Sequence, residues 1–186
     1  GIIISAAPSA QEFSNTFPQI CSDGEGGAII TWMDRRNQIQ NPLNGIDVFA
    51  QKIDPSGNVK WLVDGVPVCT AFDDQEQPVL VSDNAGGAIV TWKDRRIGNW
   101  DIYAQRLRGS NGSAVWGPLE LAICTATIIS KDKPAIASDG GNGAYIAWPD
   151  PRGTGGGNDI YAQRVDSSGN VKWTTDGISV CTDPHS

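Results

Sequence analysis

The sequence predicts an all-β protein built from three consecutive copies of one unit. A similar segment of eleven residues, beginning with Ser-Asp and ending in tryptophan, occurs three times and ends at Trp32, Trp92 and Trp148. Such recurrence is typical of repeat architectures. No segment keeps the 3.6-residue periodicity of an amphipathic helix, while Gly, Asn, Asp and Pro interrupt the chain about every eight to twelve residues. Short strands joined by turns account for this spacing.

Each unit is predicted to contain four strands, here called a to d. In the second unit, strand a lies over 78–81, and a tight turn with the Ser-Asp and Gly residues leads into strand b over 88–92. A loop of variable length precedes strand c over 101–107, and strand d ends at Cys124. The turn between strands c and d is rich in Gly, Asn, Asp and Ser, which tolerate or favour turn conformations.

Strand b is apolar on both sides, with Ala88, Val90 and Trp92 at one set of alternating positions and Ile89 at the other. Both faces of its sheet are therefore expected to be covered by neighbouring sheets. Four-stranded antiparallel sheets that stack face to face are typical of the blades of a β-propeller. We predict a propeller-like array of three such blades. Since closed propellers have about four to eight blades, the array is expected to belong to a larger propeller or to a dimeric, six-bladed ring.

The first residues are predicted to supply one extra outer strand, because Gly1–Ser5 aligns with Gly65–Cys69 and Gly177–Cys181 at the ends of two units. The predicted organisation is a leading outer strand and linker over 1–16, followed by blades over 17–72, 73–128 and 129–186. Such an array leaves an unclosed blade at each end. The expected partners are further blades of the same parent protein or a second copy of the chain.

Composition argues against two classes of partner. The net charge of −7 and the pI near 4.5 provide no basic surface for nucleic acid or for an anionic membrane, and apolar runs such as 2–4 are too short to span a bilayer. Cys69, Cys124 and Cys181 occupy equivalent positions of successive units, too far apart for disulfides. Buried free thiols are expected there, and a bridge from one of them to Cys21 is left open.

The repeated pattern also resembles a known class of repeats. It reads Pro-x-x-x-Ser-Asp-Gly-x-Gly-Gly-Ala-Ile-x-x-Trp-x-Asp-x-Arg, followed by Asp-Ile-Tyr-Ala-Gln-Arg and by Gly-Asn-x-x-Trp. This resembles the propeller repeats of secreted and cell-surface bacterial proteins, and the resemblance covers nearly the whole chain. It implies an extracellular or cell-surface location. Repeats of this class commonly form modules without an assigned reaction.

An Asp-x-Arg motif follows each strand b, and a second aspartate begins each strand c. We interpret this set as a structural staple in which the guanidinium bridges carboxylates at the base of the b–c loop. Its presence in every unit favours architecture over catalysis. The alternative is a Ca²⁺ site built from carboxylates and loop carbonyls, although the adjacent arginine disfavours it; no other cofactor or metal is expected. The set consists of Asp34, Arg36, Asp47, Asp94, Arg96, Asp101, Asp150, Arg152 and Asp159.

Candidate ligand-binding residues lie in the b–c loops, which differ most between units. Trp100 has no aromatic counterpart in the other two loops, and an exposed tryptophan beside polar residues is suited to stacking on a sugar or anchoring a partner. The first loop is rich in amides that suit hydroxyl-bearing ligands. The alternatives are a tryptophan that packs its own loop and a solvated surface loop. The candidates are Trp100, Asn37, Gln38, Gln40, Asn41 and Asn44.

Catalysis has little support in the sequence. His185 is the only histidine and is the penultimate residue, so neither a Ser-His-Asp triad nor a histidine-rich metal site is expected. The first functional hypothesis is a non-catalytic extracellular propeller module that binds a glycan or a protein, or serves as a surface scaffold. The second is a fragment of a propeller enzyme, a hydrolase or lyase, that acts on glycans. The third is a structural subunit that assembles through its open blade edges.

Overall fold

The computed structural model describes residues 1–6, 17–38, 44–126, 130–153 and 157–181. These residues form β-strands and turns and contain no helix that could cross a membrane. The strands are β1 (Gln19–Ser22), β2 (Ala28–Asp34), β3 (Asp47–Ile53), β4 (Val66–Cys69), β5 (Gln75–Ser82), β6 (Ala88–Asp94), β7 (Asp101–Leu107), β8 (Leu121–Cys124), β9 (Ala135–Ser138), β10 (Ala144–Asp150), β11 (Asp159–Val165) and β12 (Ile178–Cys181).

The strands form three antiparallel four-stranded sheets in which strands that follow one another in sequence are neighbours. Sheet 1 contains β1 to β4, sheet 2 contains β5 to β8, and sheet 3 contains β9 to β12. The all-β class and the four strands per unit are therefore confirmed. Strand β5 begins at Gln75, earlier than the sequence predicts, because Gln75 and Glu76 pair with Asp94 and Lys93 beyond a register shift.

The turn between strands a and b is closed by the aspartate of each Ser-Asp pair. Asp23 Oδ1 accepts hydrogen bonds from the backbone N–H groups of Glu25 and Gly27, both at 2.8 Å. A Cβ on Gly27 would lie 2.2 Å from the carbonyl oxygen of Ile53, so only glycine fits there. The same bonds recur at the two equivalent aspartates, Asp83 and Asp139. The recurring segment is thus the sequence of a particular hairpin.

A fully buried glutamine joins strand c to the connection between strands c and d in every sheet. Gln105 Oε1 accepts from the backbone N–H of Trp116 at 3.1 Å, and Gln51 and Gln163 accept in the same way from Trp61 and Trp173. A buried amide must have its partners, since an unsatisfied polar group is costly. The glutamine of each repeat therefore fixes the backbone of the second tryptophan beside strand c.

The apolar core lies between successive sheets. Sheet 1 contributes residues such as Val48 and Val68 to a cluster that also contains Val90 and Trp92 of sheet 2, and Ile102 of sheet 2 belongs to a second cluster with sheet 3. Strand β5 contacts β1, β2 and β3 on one side and β9 on the other. Sheet 2 is therefore covered on both faces, as the apolar pattern of its strand b predicts.

The second tryptophan of a repeat reaches the following repeat. Trp61 Nε1 donates to the carbonyl oxygen of Gly109 at 3.0 Å, and Trp116 Nε1 donates to that of Ser167 at 3.1 Å. These bonds satisfy the indole N–H groups of the buried Trp61 and the half-buried Trp116. The two tryptophans thus connect sheet 1 to sheet 2 and sheet 2 to sheet 3.

All four cysteines are free thiols. Cys69 and Cys124 are buried between sheets, whereas Cys21 is half-buried and Cys181 is exposed. The expectation of a buried thiol at all three repeat positions is thus wrong for Cys181. The reason is positional, because each buried thiol is covered by the next sheet along the chain, and no described sheet follows sheet 3.

Candidate functional site

The loops between strands b and c and the connections between repeats lie at the same end of the sheets. Asn44, in the first b–c loop, forms an isolated parallel β-bridge with Asp73, which precedes β5. The backbone N–H of Ile46 donates to Asp74 Oδ1 at 2.8 Å, and that of Arg95 donates to the carbonyl oxygen of Asp74 at 2.9 Å. The b–c loops of repeats 1 and 2 are thereby joined through the residues that connect sheet 1 to sheet 2.

Trp100 lies in this surface and is half-buried. Its backbone N–H donates to Ser130 Oγ at 3.3 Å, and its carbonyl oxygen accepts from the backbone of Lys131 at 2.8 Å. Lys93 Nζ stands 4.2 Å from the ring centroid, and Arg95 Cζ stands 5.9 Å from it. The loop backbone and two cations therefore hold the indole ring in place.

Two carboxylates complete this surface. Lys93 Nζ lies 3.4 Å from Glu76 Oε2, and Arg95 Nε lies 3.9 Å from Asp73 Oδ2. We call Trp100, Lys93, Arg95, Glu76 and Asp73 the Trp100 cluster. Its two cations and two carboxylates balance, so the cluster combines an aromatic ring with a neutral set of hydrogen-bonding groups.

The amides of the first loop are placed differently from the sequence-based expectation. Asn37 Nδ2 donates to Asp47 Oδ2 at 2.8 Å, and Gln38 Oε1 accepts from Arg35 at 3.1 Å. These two amides therefore brace their own loop. Asn44 is brought next to the Trp100 cluster through Asp73. The remaining candidates, Gln40 and Asn41, lie outside the described residues.

Sequence reasoning missed the charged members of the Trp100 cluster. Lys93 occupies a repeat position that holds Met33 and Pro149 in the other units. It departs from the repeat in the same way as Trp100, so the criterion that singled out the tryptophan would also have found the lysine. Arg95 and Asp73 carry a weaker signal, since Arg35 stands at the position equivalent to Arg95.

The Asp-x-Arg motifs form a second constellation, located between sheets. In repeat 2, Arg96 pairs bidentately with Asp94, with Nε–Oδ1 and Nη2–Oδ2 distances of 2.9 and 2.6 Å. The guanidinium also donates to Glu120 at 2.9 Å and to the Sγ of Cys69, in the preceding repeat, at 3.1 Å. Arg152 makes the equivalent contact with Cys124 at 3.0 Å. The arginine therefore bonds across the boundary between repeats.

The second aspartate of the first two sets accepts a hydrogen bond from a group other than the motif arginine. Asp47 accepts from Asn37, and Asp101 Oδ1 accepts from the buried Lys131 at 2.9 Å. Asp159 is buried beside Gly153. Arg96 joins Asp94 to Glu120 rather than to Asp101, and the guanidinium carbon of each motif arginine lies 3.9–4.1 Å from an aromatic ring centroid on strand c.

The environments of these groups move their pKa values in different directions. Burial raises the pKa of Asp34, but hydrogen bonds from Arg36 and Trp32 outweigh it, and the net pKa lies below the ordinary value. Burial raises the pKa of Asp47 to about 7, with Asn37 opposing the change. Burial likewise raises the pKa of Cys124 to about 11, so this thiol stays protonated and unreactive.

No group of three or more His, Cys, Asp or Glu side chains within the described ranges is placed to hold a metal ion. The Asp-x-Arg carboxylates accept hydrogen bonds from their own arginine and tryptophan instead. A buried carboxylate that already has a guanidinium and an indole as donors is poorly suited to Ca²⁺.

Comparison with known proteins bears on the fold. No protein-family model and no curated protein matches the chain. The crystal structure of an endo-arabinase from Bacteroides thetaiotaomicron VPI-5482 is similar over 97% of this chain and 67% of that chain, with a TM-score of 0.59 and 16% sequence identity. The likeness is one of fold. It fits a propeller-like fold.

Proposed function

We propose that the chain is part of an extracellular β-propeller that binds a neutral glycan at the Trp100 cluster. Two features support the propeller. Strand β5 contacts β1 and β9, so the first strands of the three sheets lie side by side, as the innermost strands of blades do around a common axis. The fold likeness to an endo-arabinase adds to this support.

The observation that carries the binding proposal is the setting of Trp100. A half-buried indole held by its loop backbone offers a rigid apolar surface at little cost in conformational entropy. A sugar would stack on the ring face opposite the Lys93 ammonium, and Arg95, Asp73 and Asn44 would bond its hydroxyl groups. Because Lys93 and Arg95 are paired with Glu76 and Asp73, a neutral glycan fits this surface better than a charged one.

The test is a titration with soluble arabinan and other neutral polysaccharides by isothermal calorimetry, with polygalacturonate as the anionic comparison. Trp100→Ala is expected to weaken binding by about 1–3 kcal/mol, the range of an aromatic hot spot. Ile97→Ala is the matched control, since Ile97 lies in the same loop and is 60% exposed. Unchanged binding by a folded Trp100→Ala variant would remove Trp100 from the site, and preferential binding of polygalacturonate would contradict the neutral class.

A second candidate function is that of a fragment of a glycan-acting enzyme, favoured by the likeness to the endo-arabinase. Glycoside hydrolysis requires two carboxyl groups that flank the scissile bond. At the loop end, Asp34 and Asp47 are buried and bonded to protein donors, which favours binding over hydrolysis. Release of reducing ends from arabinan by the wild-type chain would reverse this order of preference.

A further inference from the structure

The outward face of sheet 3 has the composition of an interface but no covering sheet among the described residues. Ile160 is 39% exposed, whereas its equivalents Val48 and Ile102 are fully buried. Val180 is 62% exposed, while its equivalents Val68 and Ile123 are almost fully buried. Tyr145, Trp173, Ile178 and Cys181 complete the same face, which we call the sheet-3 face.

The two internal boundaries show what such a face binds. At each boundary, the strand-d cysteine receives a hydrogen bond from the arginine of the next Asp-x-Arg motif, Arg96 or Arg152. The strand-c cation at the boundary between sheets 1 and 2, Lys52, donates to the carbonyl oxygen of Gly86 at 2.9 Å. A face of this type therefore binds a sheet that presents an Asp-x-Arg motif beside the tryptophan of strand b.

Sheet 1 presents such a surface on the side away from sheet 2. Its apolar part is the cluster of Ile30, Trp32 and Phe49, with Ile4 packed against it. Arg36 Nη2 donates to Ser5 Oγ at 3.3 Å, so Ser5 takes the place that the cysteine thiols take at the internal boundaries. Ile20, which pairs with Ile30 and is 66% exposed, extends this surface.

Residues Gly1–Ala6 occupy the position of a preceding outer strand. The backbone N–H of Ala6 donates to Asp64 Oδ1 at 2.7 Å, and the equivalent bond between sheets 2 and 3 runs from Thr125 to Asp176 Oδ1 at 2.8 Å. No strand is assigned within 1–6. The segment therefore occupies the position that the last strand of one sheet takes against the next sheet.

We propose that the sheet-3 face binds sheet 1 of a second copy of this chain, in competition with Gly1–Ala6 of that copy. Cys181 would then receive the hydrogen bond of the second copy's Arg36, as Cys69 and Cys124 do at the internal boundaries. β12 pairs with β11, so the second copy would be contacted by the whole sheet-3 face. The competing segment contacts sheet 1 through Ile4, Ser5 and Ala6. The contact is head to tail, so it leads to a closed ring or to a longer chain of copies.

Light scattering over a concentration series tests this proposal. Deleting residues 1–6 is expected to lower the dissociation constant for self-association by about tenfold or more, because the binding surface of sheet 1 is then uncovered. Val180→Asp is expected to weaken association of both forms by about tenfold or more. Leu119→Asp is the control, since Leu119 stays 76% exposed although sheet 2 is covered on both faces.

Three results would overturn the proposal. They are a folded deletion variant that stays monomeric at about 100 µM, association that Val180→Asp leaves unchanged, and equal effects of Val180→Asp and Leu119→Asp. If the deletion variant does not fold, the proposal is tested by treating the full-length Asp64→Cys variant with a bismaleimide cross-linker that has a short spacer. A covalent dimer that disappears on Cys181→Ser supports the contact, and the absence of a Cys181-dependent dimer contradicts it.

Discussion

At the scale of single residues, the carboxylates that end strand b are held by three kinds of donor. Asp94 has no exposed side-chain area and accepts from the Trp92 indole at 2.9 Å, from the Arg96 backbone at 3.0 Å and from the Arg96 guanidinium. Burying a charge is costly unless it is paired and hydrogen-bonded. The recurrence of tryptophan, aspartate and arginine at fixed spacing follows from this requirement.

Arg96→Ala is expected to lower the free energy of unfolding by about 1–3 kcal/mol, because it leaves Asp94 without its counter-charge and removes a contact to the preceding repeat. Urea denaturation followed by tryptophan fluorescence measures the change. Arg108→Ala is the control, since Arg108 is exposed in the turn after β7 and exposed charges contribute little. Equal effects of the two substitutions would contradict the structural role of the Asp-x-Arg motif.

Asp47 couples the stability of the fold to pH. Burial raises its pKa to about 7, Asn37 and Arg36 lower it, and Asp34 and Asp74 raise it further. The native state therefore binds a proton more tightly than the unfolded chain does. The resulting stabilisation is present below the unfolded pKa near 3.8 and is lost as the pH rises through about 7.

Asp47→Asn is expected to remove this dependence. The unfolding free energy of the wild type relative to the variant should fall between pH 5 and pH 8, by up to about 1.4 kcal/mol for each pH unit. Denaturation series at these pH values provide the measurement, with Asp132→Asn at an exposed position as the control. A constant difference between Asp47→Asn and the wild type over this range would show that Asp47 titrates normally.

At the scale of strands, nearly identical sequences have unequal surroundings. Strands β7 and β11 both begin with Asp-Ile-Tyr-Ala-Gln-Arg. Ile102 of β7 is fully buried between sheets, whereas Ile160 of β11 is 39% exposed on the sheet-3 face. Intrinsic strand propensity is the same for both, so any difference in local stability arises from packing against neighbouring sheets.

Amide hydrogen exchange is expected to be about ten- to a hundredfold slower in β7 than in β11, because opening β7 exposes two packed faces and opening β11 exposes one. The measurement is made at low protein concentration, so that self-association does not cover sheet 3. Comparison with Val180→Asp provides a control. Equal protection of the two strands in both proteins would show that packing between sheets adds little to their stability.

At the scale of the whole molecule, one kind of sheet-to-sheet contact holds the three sheets together and also explains the proposed binding of a second copy. At both internal boundaries, the cysteine of strand d in one sheet contacts the arginine of the Asp-x-Arg motif in the next sheet. Within the described residues there is an occupied boundary on each side of sheet 2, the segment Gly1–Ala6 packed on sheet 1, and a partly exposed outward face on sheet 3. The loop end, where the repeats differ, is left available for the proposed ligand binding.

The sequence by itself determined the elements that depend on local interactions. The Ser-Asp hairpin, strand c and the d-strand end at the cysteine all lie where the repeat places them, because positive-φ turns, strand alternation and turn-closing aspartates act within a few residues. Apolar residues at both sets of alternating positions in strand b also correctly indicated that sheet 2 is covered on both faces. Of the candidate site, Trp100 was recognisable because it departs from the repeat.

Only the tertiary structure decided which distant groups meet. The guanidinium of Arg96 reaches Cys69 in another repeat, Lys131 rather than an arginine pairs with Asp101, and Arg95 with Asp73 joins the surface of Trp100. The position of a residue in the repeat shows which residues of the other units it corresponds to, but not which residues it contacts. The contacts depend on how one sheet stacks on the next. At a boundary between sheets, a long side chain lies within reach of several groups, and the stacking determines which of them it contacts. For that reason the sequence predicted the sheets, while the stacking of the sheets defined the site.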